Sequence, residues 1–384
     1  MYVAALELTD FRSYSHLAAE FPPGVVALVG PNGHGKTNIV EAIAYTATLS
    51  SHRTGSDAAL IRDGSQRAIV RTRLMHGERC VTVAVDIAAG KPSPPLVNGV
   101  AQRRRRDIVG VARTVVFAPE DLAIIKGDPD NRRSFLDSVL IQTSPRLAAE
   151  FADYDRAARQ RAALLRSLAS LPKAAAASAL ETLEIWDARL ADHGAAITVA
   201  RMRLAAALAG PAGAAYADLA GSPVPIAVDY QAAVDAVVPP PGDPVPVDDA
   251  VPSLASRMRE AMVQVRAKEL ERGVNLIGPH RDDVKLLIGG LPARTHASHG
   301  EAWSLALAAK IAAFEVLKEG TGGPPILILD DVLAELDASR RRAVARLVGQ
   351  ADQVILTSAV REDVPGELGA AIFRVHEGGL SRGE

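Results

Sequence analysis

Eight consecutive residues, Gly30-Pro31-Asn32-Gly33-His34-Gly35-Lys36-Thr37, have the types and spacing of a triphosphate cradle, G-x-x-x-x-G-K-[ST]. Gly33 and Gly35 let backbone amides turn inward and approach phosphate oxygens without a Cβ in the way. Lys36 supplies a compact positive charge for the β- and γ-phosphates, and Thr37 a hydroxyl for Mg²⁺. Asn38 opens a stretch of helical spacing, with Ile39, Ala42 and Ile43 on one side, whose N-terminal amides would face the same anion. Gly30, Pro31, Asn32 and His34 complete the loop; position 34 is free to vary, and its side chain is expected to face solvent. The implied chemistry is binding of ATP with magnesium, with Lys36 as a catalytic residue.

A second acidic site lies far along the chain. Ile326-Leu327-Ile328-Leu329-Asp330-Asp331 reads as an interior parallel strand, a continuous apolar run, that ends in two acids. The carboxyl ends of such strands are where open α/β sheets bind ligands. Asp330 would hold the magnesium shell; Asp331, catalytic, would orient the attacking water or accept its proton. Further upstream, Ser298-His299-Gly300-Glu301 precedes a strongly helical run, Ala302 to Lys310. Ser298 and Glu301 fit a capping box, which accounts for them at any helix start. The same capped N-terminus, with Gly300 beside it, could also grip a γ-phosphate held by another subunit.

These groups need a scaffold. Tyr2 to Leu8 alternates as a half-buried strand does, and Val25 to Val29 is a short β-branched strand that ends at Gly30. Ile69–Leu74 and Cys80–Ile87 read as a hairpin closed near His76-Gly77, Asn98-Gly99 as a tight turn, and Thr114–Phe117 as a strand. From Asp121 to about Gly210 the chain is rich in Ala, Leu and Arg, a helical composition, and Ser253–Arg272 is helical again. Between them Pro239-Pro240-Pro241-Gly242-Asp243-Pro244 reads as an exposed loop. Strands return at Val284–Ile288, Val354–Thr357 and Ile372–Val375. The expected architecture is one α/β head interrupted by a mainly helical inserted lobe: residues 1–122 with the phosphate loop, 123–272 the insertion, and 273–384 the rest of the head. There is no internal repeat and no sustained heptad.

The 384 residues carry 43 basic and 45 acidic side chains, so no whole-chain basic field marks a nucleic-acid binder, and any such surface is local. Arg103-Arg104-Arg105-Arg106 is the densest run, with Arg132-Arg133 and Arg340-Arg341-Arg342 behind it; for any one run a solvated surface is the favoured reading. Aromatic residues are scarce, which argues against a stacking platform for single strands. A single cysteine, Cys80, excludes an intrachain disulfide. The sequence has no signal-peptide pattern and no apolar run of ~18 residues. The expected location is the cytoplasm, with no membrane partner.

Taken together, several segments resemble the RecF family, bacterial DNA-repair ATPases related to ABC and SMC-type heads. They are Leu8-Thr9-Asp10-Phe11-Arg12-Ser13-Tyr14, the phosphate loop with Thr37 to Ile43, Ser51-His52-Arg53, Phe117-Ala118-Pro119-Glu120-Asp121-Leu122, Arg132-Arg133-Ser134-Phe135-Leu136-Asp137, Gly278-Pro279-His280-Arg281-Asp282-Asp283 and Leu329 to Asp337. The resemblance covers nearly the whole chain. It implies a P-loop NTPase head of ABC/SMC type in which two subunits close head to tail around ATP, each pairing its phosphate loop with the partner's Ser298 segment. It also implies Arg12 near the base or phosphates, Asp337 at the partner's nucleotide, and binding to double-stranded DNA at gap junctions, with RecR and RecO, to load RecA in gap repair and the SOS response. The sequence departs from the family pattern in two places and lacks one further group. Glu301 stands where the family usually has Gln, and Asp331 where most ABC-type ATPases have Glu, which suits slow hydrolysis; no switch histidine follows Thr357. His280 and Arg281 either line the nucleotide site or form a charged turn. The alternatives in other classes are a small-molecule P-loop kinase and a transporter ATPase subunit.

Overall fold

A computed structural model describes residues 1–90, 92–168, 173–221, 223–241, 246–320, 323–332 and 338–383; the side chains of 173–179, 338, 339, 342 and 343 fall outside that description. Among the described residues three sheets carry the strands. The first runs in the order β2 (Tyr14–Glu20), β1 (Tyr2–Phe11), β4 (Arg67–His76), β5 (Arg79–Ala88), β6 (Leu96–Val97), β7 (Val100–Ala101), all antiparallel. His76 faces Arg79 at the end of the β4–β5 hairpin, and Asn98 and Gly99, both at positive φ, turn β6 into β7.

The second sheet holds the phosphate loop: β15 (Gly379–Arg382), β14 (Ala371–His376), β3 (Gly24–Val29), β13 (Gln353–Ser358), β12 (Ile326–Leu329) and β8 (Thr114–Phe117). Five of these strands run parallel and only β15 is antiparallel. The apolar runs at Val25 and Ile326 follow from this position, because an interior parallel strand is covered on both faces. Their alternate residues part between two cores. Val26, Leu28, Ile326, Ile328 and Ile355 pack towards the first sheet, with Ile39 and Ile43; Ala27, Leu327, Leu329, Val354 and Leu356 pack towards the helical side.

The helices are α1 (Lys36–Thr48), α2 (Leu122–Lys126), α3 (Pro129–Thr143), α4 (Leu147–Leu168), α5 (Lys173–Ala220), α6 (Ala250–Arg272), α7 (Ala293–His296), α8 (His299–Glu319) and α9 (Ala338–Val348). Two features differ from the expectation. First, α5 continues past Gly210 and through Pro211 to Ala220, because Ala212, Tyr216 and Leu219 bury themselves in the same core as α8, and that burial outweighs the missing N–H. Second, the stretch between the two helical regions contains a strand, β9 (Ile226–Gln231). It pairs antiparallel with β10 (Asp283–Ile288), and β11 (Leu291–Pro292) completes a third sheet. Pro239 to Pro241 are exposed; residues 242–245 lie outside the described residues.

Ion pairs tie the helices to one another and, through Asp283, to this third sheet. Arg132 on α3 makes two bonds to Asp283 (2.8 and 3.1 Å), and Arg201 on α5 two to Asp137 (both 2.7 Å). Arg161, fully buried, bonds Asp187 (2.6 Å), Glu269 (2.6 Å) and Asn275 (2.9 Å), joining α4, α5 and α6. Asp282 accepts from Thr198, Tyr230 and the amide of Ala233; burial pushes its carboxyl up, against the pull of those three bonds. Among the described residues no helix is long and apolar enough to cross a membrane.

Candidate functional site

The phosphate loop joins β3 to α1 at the carboxyl end of the parallel sheet. Gly30 is where the loop leaves the sheet, and a Cβ there would stand 2.2 Å from the Val375 carbonyl oxygen of β14. Gly35 lies at φ +98°, and a Cβ on it would fall 2.7 Å from the hydroxyl of the buried Tyr14. Close backbone contact at the first position, with backbone conformation and space together at the second, explains why these positions take glycine. Gly35 is also the N-cap of α1, so the helix begins with no side-chain cap and its first amides are left to face an anion.

Lys36 is 3% exposed. Its ammonium donates to the carbonyls of Gly30 (2.7 Å) and Pro31 (3.2 Å) and to the side-chain oxygen of Asn32 (3.2 Å). These are neutral acceptors, so the charge is held in place but not neutralised. A cavity beside it is lined by Asn32, Gly33, Gly35, Lys36, Thr37, Asn38, Arg53 and Asp331. His34 departs from the expectation: it is half-buried and its Nδ1 is shielded from solvent without a partner, because the loop folds it in beside Tyr14, whose hydroxyl bonds the His34 carbonyl.

The two distant acids arrive at the same place. β12 lies one strand from β3, across β13, and delivers Asp330 to Thr37: Thr37 Oγ1 donates to Asp330 Oδ1 at 3.1 Å, across 293 positions of sequence. Asp330 is 3% exposed; burial, with Asp331 adding its charge, pushes its carboxyl up to about 6, against hydrogen bonds from Thr357 and Thr37. A divalent cation here would remove that penalty, and a hydroxyl beside a carboxylate fits magnesium, which takes few protein ligands and keeps its waters. Asp331 sits at φ +52°, a conformation that costs a non-glycine residue energy and that recurs at functional sites. Its amide donates to Thr357 Oγ1 at 2.8 Å, and the same hydroxyl donates to Asp330 at 2.8 Å.

Thr357 is thus a site residue that sequence reasoning passed over; the one signal was a hydroxyl at the tip of the Val354–Leu356 run. Arg53 is another, since it lines the cavity and bonds Asn38 (3.2 Å). Glu41 is the third. It is fully buried, yet Arg12, Ser51 and Arg53 together hold it below the usual carboxylate range against the opposing effect of burial. Arg12 is turned towards Glu41, with bonds of 2.9 and 2.7 Å, and a third to the Ala59 carbonyl; it does not line the cavity.

Ser298 and Gly300 also stand apart from this cavity, at the start of α8. The capping box is formed: Ser298 Oγ accepts from the Glu301 amide (3.3 Å), and the Glu301 carboxylate accepts from the Ser298 amide (2.8 Å). Asp337 lies outside the described residues. His280 bonds Tyr154 and the Asn275 carbonyl, and Arg281 bonds the same carbonyl, so the 278–283 segment is a charged turn at the base of the helices. Of the arginine runs, Arg103 and Arg104 are exposed and Arg105 is held by Asp57 and Tyr45. Arg132 and Arg133 bond Asp283, Asp130 and the Asp282 carbonyl. Arg341 is exposed.

The family described as RecF/RecN/SMC N terminal domain matches residues 2–376. The chain is 45% identical over 395 residues to the DNA replication and repair protein RecF of Beutenbergia cavernae and 46% identical over 386 residues to that of Frankia alni, with all of each chain covered. It is similar to a solved structure of the recombination mediator protein RecF with ATP in the RecFOR pathway, at TM-score 0.88 and 25% identity, covering 100% of this chain and 98% of that one. A head domain of Smc from Pyrococcus furiosus shares the fold at TM-score 0.51 and 17% identity, covering 99% of this chain and 95% of that one.

Proposed function

This chain belongs to the RecF family of SMC-type ATPase heads, and we propose that it acts as an ATP-gated clamp on double-stranded DNA in recombinational gap repair. The observation that carries the reading is the contact between Thr37 and Asp330, a magnesium-ready hydroxyl and carboxylate next along the chain from a lysine whose acceptors among the described residues are all neutral. Relatives named for DNA replication and repair, and a similar RecF structure with ATP, support the same ligand and role here.

In this reading Lys36, Thr37, Asn38 and the amides at the start of α1 bind the triphosphate. Thr37 and Asp330 hold Mg²⁺, which would neutralise phosphate charge. Asp331, fixed by Thr357, orients the water or takes its proton. The capped start of α8 in a second copy, with Ser298 and Gly300, closes over the γ-phosphate and makes an ATP-dependent homodimer; Asp337 would contact the partner's nucleotide. Hydrolysis is slow, is stimulated by DNA, and resets the clamp. Exposed Arg103 and Arg104 are candidates for phosphate-backbone contact. The family relationship further supports work with RecR and RecO in loading RecA at gap junctions and in the SOS response, in the cytoplasm.

Light scattering with ATP–Mg²⁺, run beside phosphate release with and without duplex DNA, tests this. Mass should double with nucleotide, and duplex should raise turnover. Asp331→Asn should keep the dimer while phosphate release falls by about a hundredfold. A chain that stays monomeric when saturated with a nonhydrolysable nucleotide on duplex would sink the clamp. A kinase would instead yield a phosphorylated acceptor, and a transporter subunit would ignore DNA.

A further inference from the structure

Between the single turn of α7 and the start of α8 the chain passes through Ala297 and Ser298, and one side chain from elsewhere grips this passage. Lys126, the last residue of α2, donates from Nζ to the carbonyls of Ala293 (3.3 Å), Arg294 (3.2 Å) and Ala297 (2.5 Å), 167 to 171 positions further along the chain. The last carbonyls of a helix lack amide partners of their own, and a cation among them is favourable. The ammonium has a fixed base. Asp121, at the N-cap of α2, pairs with Lys310 of α8 (2.7 Å). The Gly127 carbonyl, just past the end of α2, accepts from Arg132 (2.9 Å), which is itself paired with Asp283. Asp128 adds an ion pair to Arg294 (3.0 Å). The charge of Lys126 also reaches the first turn of α8: hydrogen bonds from Ser298 hold the Glu301 carboxyl low, and Lys126 adds to that pull. The cap decides that α8 begins at Ser298, and the grip on Ala297 decides where in space that beginning stands.

We propose that Lys126 is a positioning residue: by holding the 293–297 turn against α2 it sets where Ser298 and Gly300 stand when they meet a triphosphate bound to a second copy of the chain. The proposal rests on the shared-nucleotide dimer above and names the residue that aims one of its two faces.

The test is Lys126→Ala and Lys126→Arg in the full chain. Monomer affinity for ATP should stay within about twofold of wild type, because Lys126 does not line the phosphate-loop cavity. Dimerisation with nonhydrolysable nucleotide should weaken by about tenfold or more in Lys126→Ala, and by about threefold or less in Lys126→Arg, which keeps the charge and can still donate to the carbonyls. Mixing Lys126→Ala chains with Lys36→Ala chains should recover part of the phosphate release that neither shows alone, since the mixed dimer contains one sound loop facing one sound α8. A merely misfolded variant would not be rescued this way. Wild-type dimerisation by Lys126→Ala overturns the proposal and leaves the dimer standing. ATP affinity that falls as far as pairing also overturns it, because the fault then lies outside the start of α8. A wild-type chain that never dimerises overturns both. Should Lys126→Ala fail to fold, Lys126→Gln, which keeps a donor for one carbonyl without the charge, takes its place. It should weaken pairing by about threefold, and unaltered pairing overturns the proposal.

Discussion

Arg161 and Lys36 are both buried cations, at 0% and 3% exposure, and they are treated in opposite ways. Arg161, at the junction of α4, α5 and α6, is met by two carboxylates and an amide oxygen. Lys36, at the nucleotide face, is met by two backbone carbonyls and one amide oxygen, none of which carries a full negative charge. The junction closes its electrostatics within the chain and so fixes one arrangement of helices. The nucleotide face leaves a charge open for a ligand to close. Net charge near zero hides this difference, since it lies in where the opposite charges fall and not in their number.

The largest expected effect tests the closed half. Arg161→Met leaves the buried Glu269 without a cation, while Asp187 keeps Arg266, and should lower stability by about 3–5 kcal/mol in urea unfolding. Lys36→Met in the absence of nucleotide should be neutral or stabilising, because it removes a buried charge that meets only neutral acceptors among the described residues. Equal losses in the two variants would erase the comparison. Lys36→Arg probes the open half. A planar fork replaces a compact ammonium between the Gly30 and Pro31 carbonyls, and ATP affinity by titration should fall about ten- to a hundredfold, with urea stability little changed.

His280 gives the junction a pH dependence. Burial pulls its imidazole down to about 4, from an ordinary value near 6.5. Between those values the unfolded chain binds a proton that the folded chain does not, so stability is present above about 6.5 and is lost as pH falls towards 4. From pH 7 to pH 5 the loss from this one group is on the order of 2 kcal/mol. His280→Gln should flatten the melting profile over that window, and a wild-type slope in the variant would count against the assignment. The smallest loss of stability belongs to Ser298→Ala. It deletes one finished cap on α8 and should cost the isolated monomer about 1 kcal/mol in thermal unfolding. No comparable side-chain cap exists on α1 to delete.

Local patterns carried most of the nucleotide face. The glycine loop, the strand before it, the acids after Leu329 and the capping box each occupy fewer than ten residues, and backbone geometry binds residue type to conformation at that range. What the sequence concealed was pairing. Arg132 and Arg133 read as a charge run because Asp283 and Asp282 lie about 150 positions away. Thr357 carries no motif; only the adjacency of β13 to β12 makes its hydroxyl a bridge between the two acids. The resemblance implies Arg12 near the nucleotide but not its partner: its guanidinium closes on Glu41, a helix residue that looks like an ordinary exposed acid until α1 buries it. β9 was legible in principle, with Ile226, Val228 and Tyr230 alternating, but the helical composition on either side masked a six-residue signal.

The strand that presents the phosphate loop has as its two neighbours β13 and β14, drawn from residues 353–376. During synthesis the loop therefore leaves the ribosome long before either of its flanking strands. A nascent chain that has not yet reached Gln353 carries β3 with neither flanking strand, an open edge that invites association with other chains or calls for a chaperone. The surroundings of the phosphate loop are therefore completed only once residues 353–376 have been made and have paired with β3.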